Sequence, residues 1–274
     1  MKLKAWSETE RKKLEQLQKQ LTDLHSARDA DICRETVYYE SGGVRLGIDV
    51  YRPNADKYPG VRPGILFFFG GGFRVGTRLS FRDQAEACAR QGYVAFSAEY
   101  RISLRYDVNA GDSMRDGAAA WMFLRENAGK WHLDPGRIVL SGGSAGGMVA
   151  AMCGPISGKD PAGLALFNPV ILDDEDPKSQ VSRLVSKEIG GVEVFNTKSV
   201  QPGIPVLVMH GEEDQVVPIS SIRRYAEYAN AHSGNVKLVA YPRARHSFYF
   251  SNLNRAFFYL TMGELLQFLE KISG

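Results

Sequence analysis

The sequence predicts one α/β domain in which helices flank a mostly parallel central sheet, with a small cap or none. Three observations carry this. Short apolar runs suited to buried strands, at residues 64–69, 137–140, 205–209 and 236–241, alternate with amphipathic helical stretches. A chain of 274 residues that is 44% hydrophobic can bury one large core. Finally, glycines, a serine, acidic residues and a histidine follow directly on those runs, so polar groups gather at strand ends.

The first segment, Met1-Lys2-Leu3-Lys4-Ala5-Trp6, leads straight into a charged helical pattern. Ser7-Glu8-Thr9-Glu10 is a capping-box start, and Leu14, Leu17, Leu21 and Leu24 form one narrow apolar stripe between Ser7 and Ala27. Residues 1–36 are therefore expected to be a helical extension and 37–274 a single domain. The stripe either packs on the domain body or serves as a lid or homodimer contact. No apolar secretory core occurs at this end and no stretch reaches the roughly 18 apolar residues of a membrane span, so the expectation is a cytoplasmic protein.

Gly64-Ile65-Leu66-Phe67-Phe68-Phe69 is a strand running into Gly70-Gly71-Gly72. Glycines let backbone N–H groups approach a substrate oxygen, which makes this the expected oxyanion hole. Asp116, in Asp112-Ser113-Met114-Arg115-Asp116, braces the helix that carries Trp121 and Leu124, and His132 belongs to the turn before the next strand.

That strand, Arg137-Ile138-Val139-Leu140, precedes Gly142-Gly143-Ser144-Ala145-Gly146, a G-x-S-x-G pattern. Strand, tight turn and helix form the context of a nucleophile elbow, in which a side chain two positions from the serine would collide with backbone. Ser144 is the candidate nucleophile, and Met148 to Met152 reads as a buried helix of mostly small residues.

Pro205 to Met209 is a clean strand that ends in His210-Gly211-Glu212-Glu213-Asp214-Gln215-Val216-Val217-Pro218, which offers three acids. His246 follows the last strand, Val236 to Tyr241, and His210 is its rival, whereas His25 and His232 carry no signal. Between Ala165 and Pro205 lies the acidic run Asp173-Asp174-Glu175-Asp176 and a helical stretch near Val181 to Ile189, room for only a small cap. Phe73, Arg74 and Phe248-Tyr249-Phe250 are candidate pocket residues.

These motifs in this order resemble the α/β-hydrolases of the esterase/lipase type, close to the branch with an H-G-G-G loop that holds hormone-sensitive-lipase-like carboxylesterases and carbohydrate acetyl esterases. The resemblance rests on Phe69-Gly70-Gly71-Gly72-Phe73, Ala98-Glu99-Tyr100-Arg101, Asp134-Pro135-Gly136-Arg137-Ile138, Gly142 to Gly147, His210-Gly211 through Pro218, and His246, and spans most of the chain from about Val37 onward. It implies the catalytic set Ser144, Asp214 and His246, with the third acid of the run singled out and His210 left structural, and an oxyanion hole from the amides of Gly71, Gly72 and Ala145. Phe69 departs from the pattern, because it stands where the family has a histidine that organises the loop. Leu166-Phe167-Asn168-Pro169-Val170 also resembles the carbohydrate-esterase relatives.

The implied activity is hydrolysis of acetyl to butyryl esters through an acyl-enzyme, acetylated carbohydrates included. An amidase or peptidase acting with the same triad and a non-catalytic binding protein are the rival classes. No cofactor or metal is expected, since Cys33, Cys88 and Cys153 show no ligand spacing. The net charge of +3 gives no case for a nucleic-acid partner.

Overall fold

The computed structural model describes residues 12, 32–175, 181, 183 and 185–273. The N-terminal stripe and its proposed roles as lid or dimer contact fall outside these residues, as does His25.

Ten strands and five helices follow in chain order among the described residues. They are β1 (Ile32–Ser41), β2 (Val44–Pro53), β3 (Arg62–Phe68), α1 (Arg82–Arg90), β4 (Val94–Ala98), α2 (Ala110–Glu126), β5 (Leu133–Gly143), α3 (Ala145–Ser157), β6 (Gly163–Phe167), β7 (Glu188–Ile189), β8 (Val192–Glu193), β9 (Pro205–Gly211), α4 (Ile219–Ala231), β10 (Asn235–Tyr241) and α5 (Arg255–Ser273). Eight strands form one sheet in the order β1-β2-β4-β3-β5-β6-β9-β10. The first two pairings, β1 with β2 and β2 with β4, are antiparallel; from β4 to β10 all neighbours run parallel.

Both faces of this sheet are covered, which explains why its central strands read as unbroken apolar runs. In β3, Leu66 and Phe68 enter the core under α2, α3 and α4, where Trp121, Met148 and Tyr225 are buried. Ile65 and Phe67 point the other way, into a second core with Cys88 of α1 and Phe258 and Leu265 of α5. Phe248 and Tyr249 belong to this second core, so the expectation that they line a pocket is corrected.

The sheet begins earlier than expected: β1 pairs with β2 from Ile32, upstream of the boundary placed at residue 37. A second difference lies in the cap region. The helical stretch expected up to Ile189 stops short, because Glu188–Ile189 pairs with Val192–Glu193 as a hairpin. Its two central residues, Gly190 and Gly191, have φ of 60° and 82°. A two-residue hairpin turn with both φ values positive suits glycine and matches strand twist, so this local signal outweighs helical periodicity.

Two buried acids fix the loops around the sheet's carboxyl edge. Asp116 is fully buried and accepts from Arg101 Nε at 2.8 Å, from the Arg101 backbone N–H at 2.9 Å and from Ser41 Oγ at 2.5 Å, tying α2 to the segment after β4. Asp173 ties the segment after β6 to α4 by accepting from Ser221 Oγ at 2.6 Å and from Arg224. Burial alone would raise the Asp173 carboxyl, but Ser221, Arg224 and the Glu175 amide outweigh it and hold it below the usual carboxylate range.

A carboxyl depressed in the folded state stabilises the fold fully above its unfolded value of about 4 and loses that contribution as pH falls through the depressed value. Asp173→Asn is therefore expected to lower unfolding free energy by about 2 kcal/mol at pH 7. Urea denaturation of both proteins at descending pH should show the gap closing below about pH 4.

Candidate active site

Parallel strands direct their carboxyl ends to one edge, where side chains from separate loops can meet. Five loops do so here. In register, Phe68 of β3 lies beside Gly142 of β5, Gly143 beside Phe167 of β6, and Phe167 beside Met209 of β9. The next residues along these strands, Phe69, Ser144 and Asn168, are therefore neighbours, and Asp214 and His246 follow just after β9 and β10.

Ser144 joins β5 to α3 with φ 53° and ψ −122°, a conformation that non-glycine residues adopt at a cost. The chain tolerates it because the turn is closed from both sides. A Cβ on Gly142 would overlap the Gly146 carbonyl, and one on Gly146 would overlap the carbonyls of Phe68 and Phe69. Those are the two positions that the sequence pattern marked. The backbone of Ser144 is also pinned directly: its N–H donates to Phe167 O at 3.0 Å and its carbonyl accepts from Val170 N–H at 2.9 Å.

The predicted catalytic residues come together. His246 Nδ1–H donates to Asp214 Oδ2 at 2.7 Å, and Ser144 Oγ donates to His246 Nε2 at 2.9 Å. The other oxygen, Asp214 Oδ1, accepts from the amides of Val216 and Val217 at 2.8 and 3.0 Å. Burial would raise the Asp214 carboxyl, but the hydrogen bond and electrostatic attraction to His246 and the two amides keep it below the usual carboxylate range. It is thus an ionised, fully accepting group at neutral pH.

The competing residues fall elsewhere. Glu212 pairs with Arg223 and Glu213 with Arg245 on the surface. His210 is fully buried; its Nε2–H donates to Val217 O at 2.9 Å and lies 3.4 Å from Asp214 Oδ2. Burial lowers its pKa, so it backs the acid as a neutral ring. His132 takes φ 50° at the turn before β5, and His232 ends α4.

Gly71 and Gly72 line a cavity of ≈ 260 Å³ together with Ser144, His246 and Ser247. Among the described residues the amides of Gly71, Gly72 and Ala145 have no hydrogen-bond acceptor. Ala145 opens α3, so its N–H carries the positive end of the helix dipole. The remaining walls are apolar, with Phe73, Val170, Val181, Val185 and Val216. Of the pocket residues expected from sequence, Phe73 is present and Arg74 is not.

How the glycine loop is held without a histidine was not legible in the sequence. Tyr100 replaces it: its ring stacks on Phe69 with centroids 4.1 Å apart, and its hydroxyl donates to Phe69 O at 2.6 Å. The next turn is tied as well, by Ser103 N–H to Phe73 O at 3.0 Å. Tyr100 stood inside the motif Ala98-Glu99-Tyr100-Arg101, but nothing local connects it to a loop thirty residues upstream.

A strained serine elbow, an acid after β9 and a histidine after β10, on a sheet of this order, define an α/β-hydrolase of the esterase/lipase superfamily. A family model described as BD-FAE matches residues 48–190, just over half of the chain, and the protein belongs to that family. The model of the dienelactone hydrolase family matches residues 188–257. Among solved structures, propionate-bound esterase 2 of Thermogutta terrifontis is similar at 31% identity and a TM-score of 0.76, over 87% of this chain and 94% of that one. Among curated proteins, Lipase 2 of Moraxella sp. is 35% identical over 36% of this chain, and esterase LipQ of Mycobacterium tuberculosis 28% identical over 77%. The chain spans 23% and 56% of the length of these two curated relatives. No helix among the described residues is long and apolar enough to cross a membrane.

Removing the Tyr100 hydroxyl leaves the Phe69 carbonyl buried and unpaired while the ring stack persists. Tyr100→Phe is expected to cost about 1–3 kcal/mol of unfolding free energy in urea. Tyr100→Leu, which also loses the stack, should cost more.

Proposed function

We propose that this protein is a carboxylesterase that hydrolyses short-chain esters through an acyl-enzyme on Ser144. One observation carries the reading: an unbroken hydrogen-bonded chain from Ser144 Oγ through His246 to Asp214 opens onto an apolar cavity beside two glycine amides that have no acceptor among the described residues. Such a chain makes a weakly acidic hydroxyl nucleophilic.

With an ester bound, Ser144 Oγ attacks the carbonyl carbon as His246 Nε2 takes its proton. Asp214 holds the ring through Nδ1–H and stabilises its positive charge. The amides of Gly71, Gly72 and Ala145 receive the developing oxyanion, preorganised donors worth roughly 3 kcal/mol each in acyl transfer. Collapse breaks the ester bond, and Nε2 returns its proton to the leaving alcohol. Water then attacks the acyl-enzyme with the same histidine as base and releases the acid.

Acyl length follows from the walls. Val170, Val181 and Val185 leave a cavity of only ≈ 260 Å³, shared between acyl chain and reacting atoms. Structures of the similar Thermogutta terrifontis esterase with propionate and with butyrate bound support acids of this size. Acetylated carbohydrates are the natural esters that the sequence resemblance to carbohydrate acetyl esterases puts first for testing.

A series of p-nitrophenyl esters from acetyl to octanoyl tests the reading on the native protein and on Ser144→Ala. Acetyl to butyryl esters should turn over fastest, and the variant should lose at least about a thousandfold. Faster octanoyl than acetyl turnover would overturn the chain-length assignment. Absent turnover, or turnover unchanged in the variant, would overturn the esterase assignment itself.

A further inference from the structure

Asn168 has no part in the mechanism above, yet it is bonded to β9 and to the histidine loop and stands between the two residues that hold the Ser144 backbone. It is fully buried with a φ of 34°, in the positive region that asparagine tolerates better than most residues. Its N–H donates to Met209 O at 2.8 Å, which fixes it to β9. Its neighbours Phe167 and Val170 hold the Ser144 backbone from either side. Its side chain reaches the histidine loop, with Oδ1 accepting from Ser247 N–H at 3.1 Å and Nδ2 lying 3.4 Å from His246 Nε2.

The orientation of this amide follows from chemistry. A backbone N–H can only donate, so the atom facing Ser247 must be the oxygen, and the NH2 group must face His246. That group can only donate in turn, so it is satisfied only where Nε2 presents a lone pair. The ring proton then sits on Nδ1, where Asp214 Oδ2 accepts it at 2.7 Å. Two partners on opposite sides of the ring select the same tautomer.

We infer that Asn168 is a positioning residue for His246: it holds the Nε2 lone pair toward Ser144 and opposes retention of the transferred proton. This rests on the esterase reading of the same site. Before reaction, Ser144 Oγ at 2.9 Å and the amide at 3.4 Å share one lone pair. When the Ser144 proton moves to Nε2 and Oγ bonds to carbon, the Asn168 donor faces an N–H donor. That contact becomes favourable again when the proton passes to the leaving alcohol. The other groups around the ring act elsewhere: Asp214 at Nδ1, buried neutral His210 behind Asp214, and the Glu213–Arg245 pair at 4.0 Å on the solvent side.

The test compares Asn168→Ala with Asn168→Asp at pH 8. The aspartate is nearly isosteric and keeps an acceptor for Ser247 N–H, but it turns an acceptor toward Nε2 and so holds a proton there. Its kcat for p-nitrophenyl acetate should fall about a hundredfold, in the range that general-base loss costs. The alanine should lose about tenfold, in line with one hydrogen bond, and KM should stay within about threefold in both. A role limited to holding the Ser247 loop predicts the reverse, with aspartate the more active, and that ranking would overturn the inference.

Nitrogen NMR of the histidine ring gives a readout independent of turnover, and thus separate from any failure of the esterase reading. Nε2 should be unprotonated in the native protein and in Ser144→Ala, and protonated in Asn168→Asp. An unprotonated Nε2 in Asn168→Asp would overturn the inference, even if Asn168→Ala does not fold.

Discussion

The strained turn at Ser144 is the constraint on which the rest of the site depends. A residue with φ 53° and ψ −122° relaxes unless its surroundings forbid it. Here they forbid it on every side: β5 enters under the carbonyl of Gly146, α3 leaves under the carbonyls of Phe68 and Phe69, and the backbone is hydrogen-bonded to the segment after β6. The result is a serine whose Cβ is held at the edge of the sheet, at the positive end of a helix, with its hydroxyl bonded to His246. The acid and histidine loops need only bring their groups to that fixed point.

A second consequence is that the site is built from loops tied to one another as much as to the sheet. The glycine loop, lacking a histidine at Phe69, is fastened through Tyr100, and Tyr100 is fastened in turn because the Arg101–Asp116 pair anchors the next residue to α2. Asn168 does the corresponding job on the other side, joining β9, the histidine loop and the elbow. Asp173 then fixes the segment after β6 to α4, three residues beyond Val170 in the cavity wall. The cavity wall and the serine turn therefore share one framework: residues 167–170 contribute to both.

The sequence by itself determined what local stereochemistry can encode. A serine flanked by glycines two positions away suits a tight strained turn between a buried strand and a helix, and continuous apolar runs such as Gly64 to Phe69 suit a sheet covered on both faces. Family likeness then separated Asp214 from Glu212 and Glu213, which composition alone treats alike. Only the tertiary structure decided the rest, because the deciding contacts join residues far apart in the chain: Tyr100 with Phe69, Asn168 with His246, Arg101 with Asp116. It also decided against local patterns where long-range packing or turn geometry won. Aromatics beside His246 went to the core because the sheet face above α5 had to be filled, and two consecutive glycines at 190 and 191 closed a hairpin where periodicity had suggested a helix. Local pattern fixes which backbone turns are possible, whereas burial and hydrogen-bond satisfaction across the whole domain choose which side chains meet.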